Sequence, residues 1–371
     1  MLVAVVGAGI MGASLTLHLA ANKMTVLLFD GASPGSGASG LSFASLSFLA
    51  AATPNFMQFS SEALNYHMDL ARPIGLADSI RATGSLRWST DPTQNKKLLR
   101  AANMAEGLGR TVEYLSRNDA LKLEPNLNIA GAPDVIVRVP EEGWLDSVRF
   151  TKRVIDAAIA TGLAHSVSEK CTRIEPLKQG AVVWTNRTCY LVDMVVLACG
   201  IGINSLLEDL ACAPLVNEVP DELTRIPYFG PPIEHVVFAN HIHFRANGPS
   251  LIVGNAGDPT SFCDSGLVIK SARENVGLVR RELKKPSFGE SITARRGSRP
   301  TPKDGCPIVG RLPGQERIFV AVTHAGITLA PYVALLLTTE IAGDGSCDVL
   351  DPFRPERFTQ PKGRNRTPRL Q

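Results

Sequence analysis

LVAVVGAGIMGASLTLHLAANKMTVLLFD, residues 2–30, decides the fold. It opens on LVAVV (2–6), a continuous apolar run of the kind found in a strand buried on both faces. Gly7-Ala8-Gly9-Ile10-Met11-Gly12 follows, then a helical stretch to about Asn22, then a second apolar run, TVLLFD (25–30). Each glycine has its own task at a strand–helix junction. Gly7 makes the tight turn, Gly9 lets backbone approach a pyrophosphate, and Gly12 lets helix and strand pack closely. The helix that starts at Ile10 and Met11 offers free N–H groups and the positive end of its dipole to phosphate. Asp30 closes the second strand, where its carboxylate can accept hydrogen bonds from ribose hydroxyls and would repel a 2′-phosphate. The unit predicts a dinucleotide site that holds an ADP moiety, and it does not separate a flavin from a nicotinamide cofactor.

Working outward, residues 31–46 (GASPGSGASGLSFASL) are rich in Gly and Ser. Their place directly after the second strand argues for a cofactor-hugging loop over a free linker. Helical patterns run roughly over 55–83 and 93–117, with GSLRWS (84–89) as a short strand between them. EEGWLDSVRFTKRVIDAAIATG (141–162) predicts a helix capped by Asp146 or Ser147. A strand-rich stretch over about 165–198 ends in MVVLACG, and residues 233–255 read as two or three antiparallel strands with a turn at Ala246-Asn247-Gly248. A helix over about 269–285, a loop containing RRGSRPTPKDG and a strand at 317–322 follow. The last pattern is THAGITLAP (323–331), where a small turn runs into an apolar helix. Strands alternate with helices at both ends around a β-rich middle. This predicts two interleaved lobes, one parallel α/β and one more antiparallel.

Composition excludes several function classes. The 371 residues are 44% hydrophobic and 20% charged, with net charge +3, which implies no polyelectrolyte partner. Lys362, Arg364, Arg366 and Arg369 give a basic tail without interleaved aromatics, read as a solvated terminus rather than a nucleic-acid contact. The seven cysteines form no CxxC pair, which fits reduced thiols in a cytosol rather than a disulfide framework or zinc site. No segment reads as a membrane span, and the first strand starts too early for a signal peptide. The expectation is a cytoplasmic protein.

GSGASGLSFAS (35–45), VVLACG (195–200), SRPTPKDGCPIVGR (298–311), THAGITLAP (323–331) and LDPFRPERF (350–358) occur in that order. Together with the first thirty residues they resemble the FAD-dependent D-amino-acid oxidase superfamily, in its glycine-oxidase, sarcosine-oxidase and D-amino-acid-dehydrogenase-like branch. The resemblance implies a Rossmann-like FAD-binding domain (1–84, 141–214 and 298–358) interleaved with an α+β substrate domain on a mixed or antiparallel sheet (85–140 and 215–297). The basic tail (359–371) is expected to be disordered. It also implies one non-covalent FAD and oxidation of a C–N bond in an amine or amino acid. Hydride passes to flavin N5, and the imine hydrolyses in water.

On this resemblance Gly7, Gly9, Ile10, Met11, Gly12, Asp30, Gly37, Ala38, Ser39, Cys171 and Gly200 are cofactor-binding, joined by Ala325, Gly326, Ile327 and Thr328 at the flavin ring. The helix N-terminus there answers the need for bare backbone: donors and dipole stabilise the charge that reduction places on the ring edge. Gly326 permits close approach. Arg299 matches an arginine that grips the substrate carboxylate, with a structural ion pair as the alternative. His243, on a strand with His241 and Arg245, falls near a substrate-facing position, and an edge histidine without a role is the alternative. His235, His241 and His243 are not read as metal ligands. Cys306 falls beyond the position where sarcosine oxidases attach their flavin. The electron acceptor is O2 or a respiratory or partner carrier, and the chain is a homo-oligomer or the FAD subunit of a hetero-oligomeric opine-type dehydrogenase. A flavin-binding protein without catalysis is the remaining alternative.

Overall fold

A computed structural model describes residues 1–51, 53–210, 212–255, 265–343, 345 and 347–358. The basic tail lies outside the described residues.

The strand Leu2–Val6, the helix Ile10–Ala21 and the strand Thr25–Phe29 form where the apolar runs predict them. They seed a six-stranded sheet in the order Ile308–Arg311, Ile318–Val322, Met194–Leu197, Leu2–Val6, Thr25–Phe29, Ala164–Val167. All neighbours are parallel except the Ile308–Arg311 edge strand. The alternation of large apolar side chains loads both faces, so both are covered. On one face the helices Ile10–Ala21, Ser147–Ala160 and Gly326–Ala342 pack around Leu15, Leu19, Phe150 and Leu337. On the other, the three-stranded sheet Cys171–Leu177, Gly180–Thr185, Cys189–Val192 and the helix Ile203–Glu208 close over Val6, Val195 and Leu197.

A second, mixed sheet has eight strands in the order Thr293–Pro302, Val216–Pro227, Ser250–Asn255, Ile242–Asn247, Val236–Ala239, Ser85–Trp88, Ile136–Val139, Glu113–Leu115. Only Val236–Ala239 and Ser85–Trp88 run parallel. The outer face buries Phe244, Val253, Ile226 and Leu86. The inner face meets the parallel-sheet lobe through Phe43, Trp144, Phe238 and Ile252. At Gly297 a Cβ would lie 2.8 Å from Leu41 Cβ, so this glycine lets the loop after the second strand press onto the mixed sheet.

Three local readings are corrected. RRGSRPTP is no loop: it belongs to the strand Thr293–Pro302, paired along its full length with Val216–Pro227, which had no sequence signal either. The helix expected over 55–83 ends at Ala71, and Ile80–Arg81 joins a small sheet with Gly143–Leu145 and Ser45–Leu46. The helix expected over 93–117 spans Pro92–Gly107, capped by Asp91 and closed before a short strand, Glu113–Leu115. Asp146 caps Ser147–Ala160 through Arg149 N–H, as predicted. No helix among the described residues is long and apolar enough to cross a membrane.

Candidate active site

The glycine turn is sterically determined. Gly7 has φ 106°, and a Cβ there would lie 2.6 Å from Cys199 Cα. At Gly12 a Cβ would lie 1.8 Å from the Gly7 carbonyl oxygen. The helix Ile10–Ala21 has Gly9 as an extended N-cap with no side-chain cap. Ser39 Oγ accepts from Ile10 N–H at 3.0 Å, bringing Gly37-Ala38-Ser39 to the mouth of this turn, with Met11 in the first helical turn. Asp30 accepts from Ala8 N–H (2.7 Å) through one oxygen and Ala32 N–H (2.8 Å) through the other. Each oxygen retains a second acceptor site. Gly200, at φ 59°, follows the Met194–Leu197 strand and sits beside Pro300. Cys171 is a buried thiol pushed up to about 11 by burial, and Cys199 is pushed up to about 12 for the same first reason. Both are protonated core thiols.

The helix Gly326–Ala342 also starts without a side-chain cap, at Ala325. Ala325 N–H donates to Thr323 Oγ1 at 3.1 Å, which leaves the N–H groups of Gly326, Ile327 and Thr328 at the open end. A Cβ on Gly326 would meet nothing closer than Ile10 Cγ2 and Thr323 Cγ2 at 4.0 Å, so the two helix starts are neighbours. Thr328 Oγ1 accepts from Ser47 N–H at 3.2 Å. Pro331 lacks the N–H that the Ile327 carbonyl would bond. His67 compensates: its Nε2 lies 3.0 Å from Thr328 O and also reaches the Ile327 carbonyl. The fully buried ring is lowered to about 4 by burial, against the smaller opposing effect of those carbonyls. It is therefore neutral, with Nε2–H as donor and a partnerless Nδ1.

Facing these helix starts is the inner face of the mixed sheet. Strand register aligns Arg87, Phe238, His243, Gly254, Leu223 and Arg295 in one row. Arg245, Ile252, Arg225 and Thr293 form the next. Gly254 is required under His243, because a Cβ there would lie 2.1 Å from the ring's Nε2. His243 meets Phe43 edge-on at 4.4 Å. Burial, then the charges of Arg299, Arg87 and Arg245, push it down to about 3. Arg299, from the same face of Thr293–Pro302, pairs with Asp221 at 2.5 Å and remains partly exposed. His241 does not share the face: it is exposed in the two-residue turn after Ala239, next to Asn240 at φ 55°. His235 is buried elsewhere against Glu124, at 2.8 Å.

Two residues escaped the sequence reading. Glu142, 1% exposed, receives hydrogen bonds from Ser47, Ser85, Arg87 and the N–H groups of Phe48 and Leu49. His324, in the quoted THAGITLAP, is lowered by burial and then by Arg299, and its buried Nδ1 has no partner. Its place inside a motif read for backbone alone was the available signal.

Comparison with known proteins adds four findings. The family described as DAO, FAD dependent oxidoreductase, matches residues 3–340. A glycine oxidase of Geobacillus kaustophilus is 25% identical over 369 residues, covering 95% of each chain. A subunit of the opine oxidase of Rhizobium meliloti is 21% identical over 378 residues, covering 95% of this chain and 96% of that protein. The crystal structure of the G. kaustophilus glycine oxidase superposes with a TM-score of 0.84 at 23% identity, over 95% of this chain and 97% of the other.

Proposed function

Because the chain belongs to the DAO family of FAD-dependent oxidoreductases, enzymes acting on amino acids and amines, we propose that it oxidises the C–N bond of a small carboxylated amine gripped by Arg299. The residues fit the cofactor. Two neighbouring uncapped helix starts suit a pyrophosphate and an electron-rich ring, and Gly7 and Gly12 tolerate no side chain. Gly7, Gly9, Ile10, Met11, Gly12, Asp30, Gly37, Ala38 and Ser39 would hold the ADP part, with Gly200 and the Cys171 region beside it. Ala325, Gly326, Ile327 and Thr328 would line the ring. Segments 1–84, 141–214 and 298–358 would carry the cofactor, and 85–140 and 215–297 the substrate. Bound FAD supplies the two-electron acceptor. Attachment is non-covalent in this reading: burial, then Asp304, raise the Cys306 thiol, which makes it a poor nucleophile.

What supports the proposal is that the Arg299 charge reaches two histidines kept uncharged chiefly by burial, His243 and His324. A guanidinium has five donors, so Arg299 can keep Asp221 and still bind a carboxylate. Neutral His243 adds no competing positive charge and can accept a hydrogen bond from the substrate amine. Anaerobic mixing with a panel of amino acids and N-methyl amino acids tests this by loss of flavin absorbance. One carboxylated amine should bleach the flavin, and Arg299→Ala should lower kcat/KM about 10- to 100-fold, the scale of hydrogen bonds to a charged group. An unchanged kcat/KM in that variant would remove Arg299 from the site.

The match to an opine oxidase subunit, spanning nearly both full lengths, supports a second reading: an FAD subunit that hands electrons to a partner chain. Oxygen uptake by the purified chain alone, at a rate matching flavin reduction, would count against it.

A further inference from the structure

We propose that the substrate carries two carboxylates, and that Arg245 takes the second. The inference rests on the reading of Arg299 as the grip on the first. Arg245 is 4% exposed on the same sheet face as His243, two residues along the strand. Its guanidinium carbon lies 4.0 Å over the Trp144 ring and 5.3 Å from the Phe43 ring. Nε donates to Phe43 O at 2.8 Å and Nη1 to Ala246 O at 3.3 Å. Among the described residues no carboxylate pairs with it, and none accepts from Nη2. Asp146, the acid whose field reaches it, makes no ion pair or hydrogen bond with it and caps Ser147–Ala160 through one oxygen.

A buried charge without a counter-charge is costly, so proteins pair it. The same face shows the contrast: Arg87 has Glu142, and Arg299 has Asp221. Arg225, in the same cross-strand row beyond Ile252, only adds like charge. Aromatic faces on Arg245 recover part of the cost and fix the plane of the fork. What they leave unmet is an anion at the guanidinium edge. His243 lies within the fields of both Arg245 and Arg299. An amino acid with a second carboxylate, on its side chain or its nitrogen substituent, would place one carboxylate at each arginine and the amine near the uncharged histidine.

Two measurements on the holoenzyme test this. In the first, mono- and dicarboxylates of matched length (butyrate against glutarate, hexanoate against adipate) are titrated by calorimetry. One dicarboxylate should bind at least about tenfold tighter than its partner, the scale of a charge-assisted hydrogen bond. Arg245→Gln should erase that ratio while leaving monocarboxylate affinity unchanged, and Arg299→Ala should weaken both. Arg245→Lys, which keeps the charge without the fork, should restore part of the ratio and guards against a folding defect in the glutamine variant. Equal affinities in the wild-type protein, or a parallel loss of both ligands in Arg245→Gln, would overturn the proposal. In the second, flavin reduction is compared between an amino monocarboxylate and an amino dicarboxylate. Reduction by the monocarboxylate alone also overturns it. Failure of every amine to reduce the flavin instead strikes the proposed reaction, and leaves the calorimetric comparison to decide Arg245.

Discussion

At the scale of single residues, Glu142 joins the lobes through a buried cluster of donors. Oε1 accepts from Ser47 Oγ at 2.7 Å and from the N–H groups of Phe48 and Leu49 at 3.0 Å. Oε2 accepts from Ser85 Oγ at 2.7 Å and Arg87 Nη2 at 2.5 Å. Burial alone would raise its pKa, but Arg87 and the hydroxyl donors outweigh burial and hold the carboxyl below its usual range. Glu142→Ala leaves the Arg87 charge buried and strands two backbone donors. The expected loss is about 3–5 kcal/mol, read from urea unfolding. Adding Arg87→Met should recover part of it, because the uncompensated charge goes too. A single variant within about 1 kcal/mol of wild type would show that water replaces the carboxylate. No sequence signal marks Glu142, since its partners come from residues 47–49, 85 and 87. Gly12 and Asp30 were legible because the contacts that demand them close within one β-α-β unit, and Gly7 because the tight turn there needs its positive φ.

At the scale of elements, the start of the Gly326–Ala342 helix depends on another helix for its geometry. Pro331 leaves the first-turn carbonyl of Ile327 without its helical donor, and His67, from Pro54–Ala71, supplies one. His67→Ala should cost about 1–3 kcal/mol for the unmet buried carbonyl. Because the same turn offers its N–H groups at the proposed flavin edge, FAD affinity should fall with stability. His67→Gln, with an amide donor, should restore part of both. Fluorescence titration of FAD into the apoprotein measures one effect and urea unfolding the other. A variant that loses stability but keeps full FAD affinity would uncouple the turn from the cofactor. The paired strands Thr293–Pro302 and Val216–Pro227 show why part of the mixed-sheet lobe was illegible. Pro300, Pro302 and Gly297 argue for a loop, yet an edge strand tolerates proline because one row of its donors faces no neighbour. Pro220 is likewise tolerated, since Ser250–Asn255 pairs only with residues 223–227 of its strand. Arg299 was therefore singled out by motif, while the strand that carries it was not foreseen.

At the scale of the whole molecule, buried histidines make stability depend on acid. His18 packs on Tyr66 between the first two helices, His67 braces the helix Gly326–Ala342, and His243 lies between the lobes against Phe43. Burial is the leading cause in each, lowering them from 6.5 to about 4, about 4 and about 3. Above pH 6.5 both folded and unfolded chains carry these rings neutral, and they add no pH dependence. Below it the unfolded chain takes up protons that the folded chain refuses, so stability falls with pH until the folded values are reached. Each ring contributes up to about 1.4 kcal/mol per pH unit in that window. Three in concert give a slope near 4 kcal/mol per unit around pH 5, to which His324, also lowered by burial, adds, before Glu142, whose pKa is lowered, begins to add its own loss below its usual value. Urea midpoints of the apoprotein from pH 8 to pH 4.5 should be flat down to about 6.5 and then drop steeply. The flat part follows because no protons are exchanged there, and the drop because all three rings sit at contacts between elements that separate together on unfolding. His18→Leu removes one ring without removing a charge or a hydrogen bond to backbone, so it should shallow the acid limb by up to about 1.4 kcal/mol per pH unit and leave the plateau's length unchanged. A profile that stays flat to pH 5 would mean that these rings are protonated in the folded chain, and that water or a counter-ion reaches contacts that are closed in this structure.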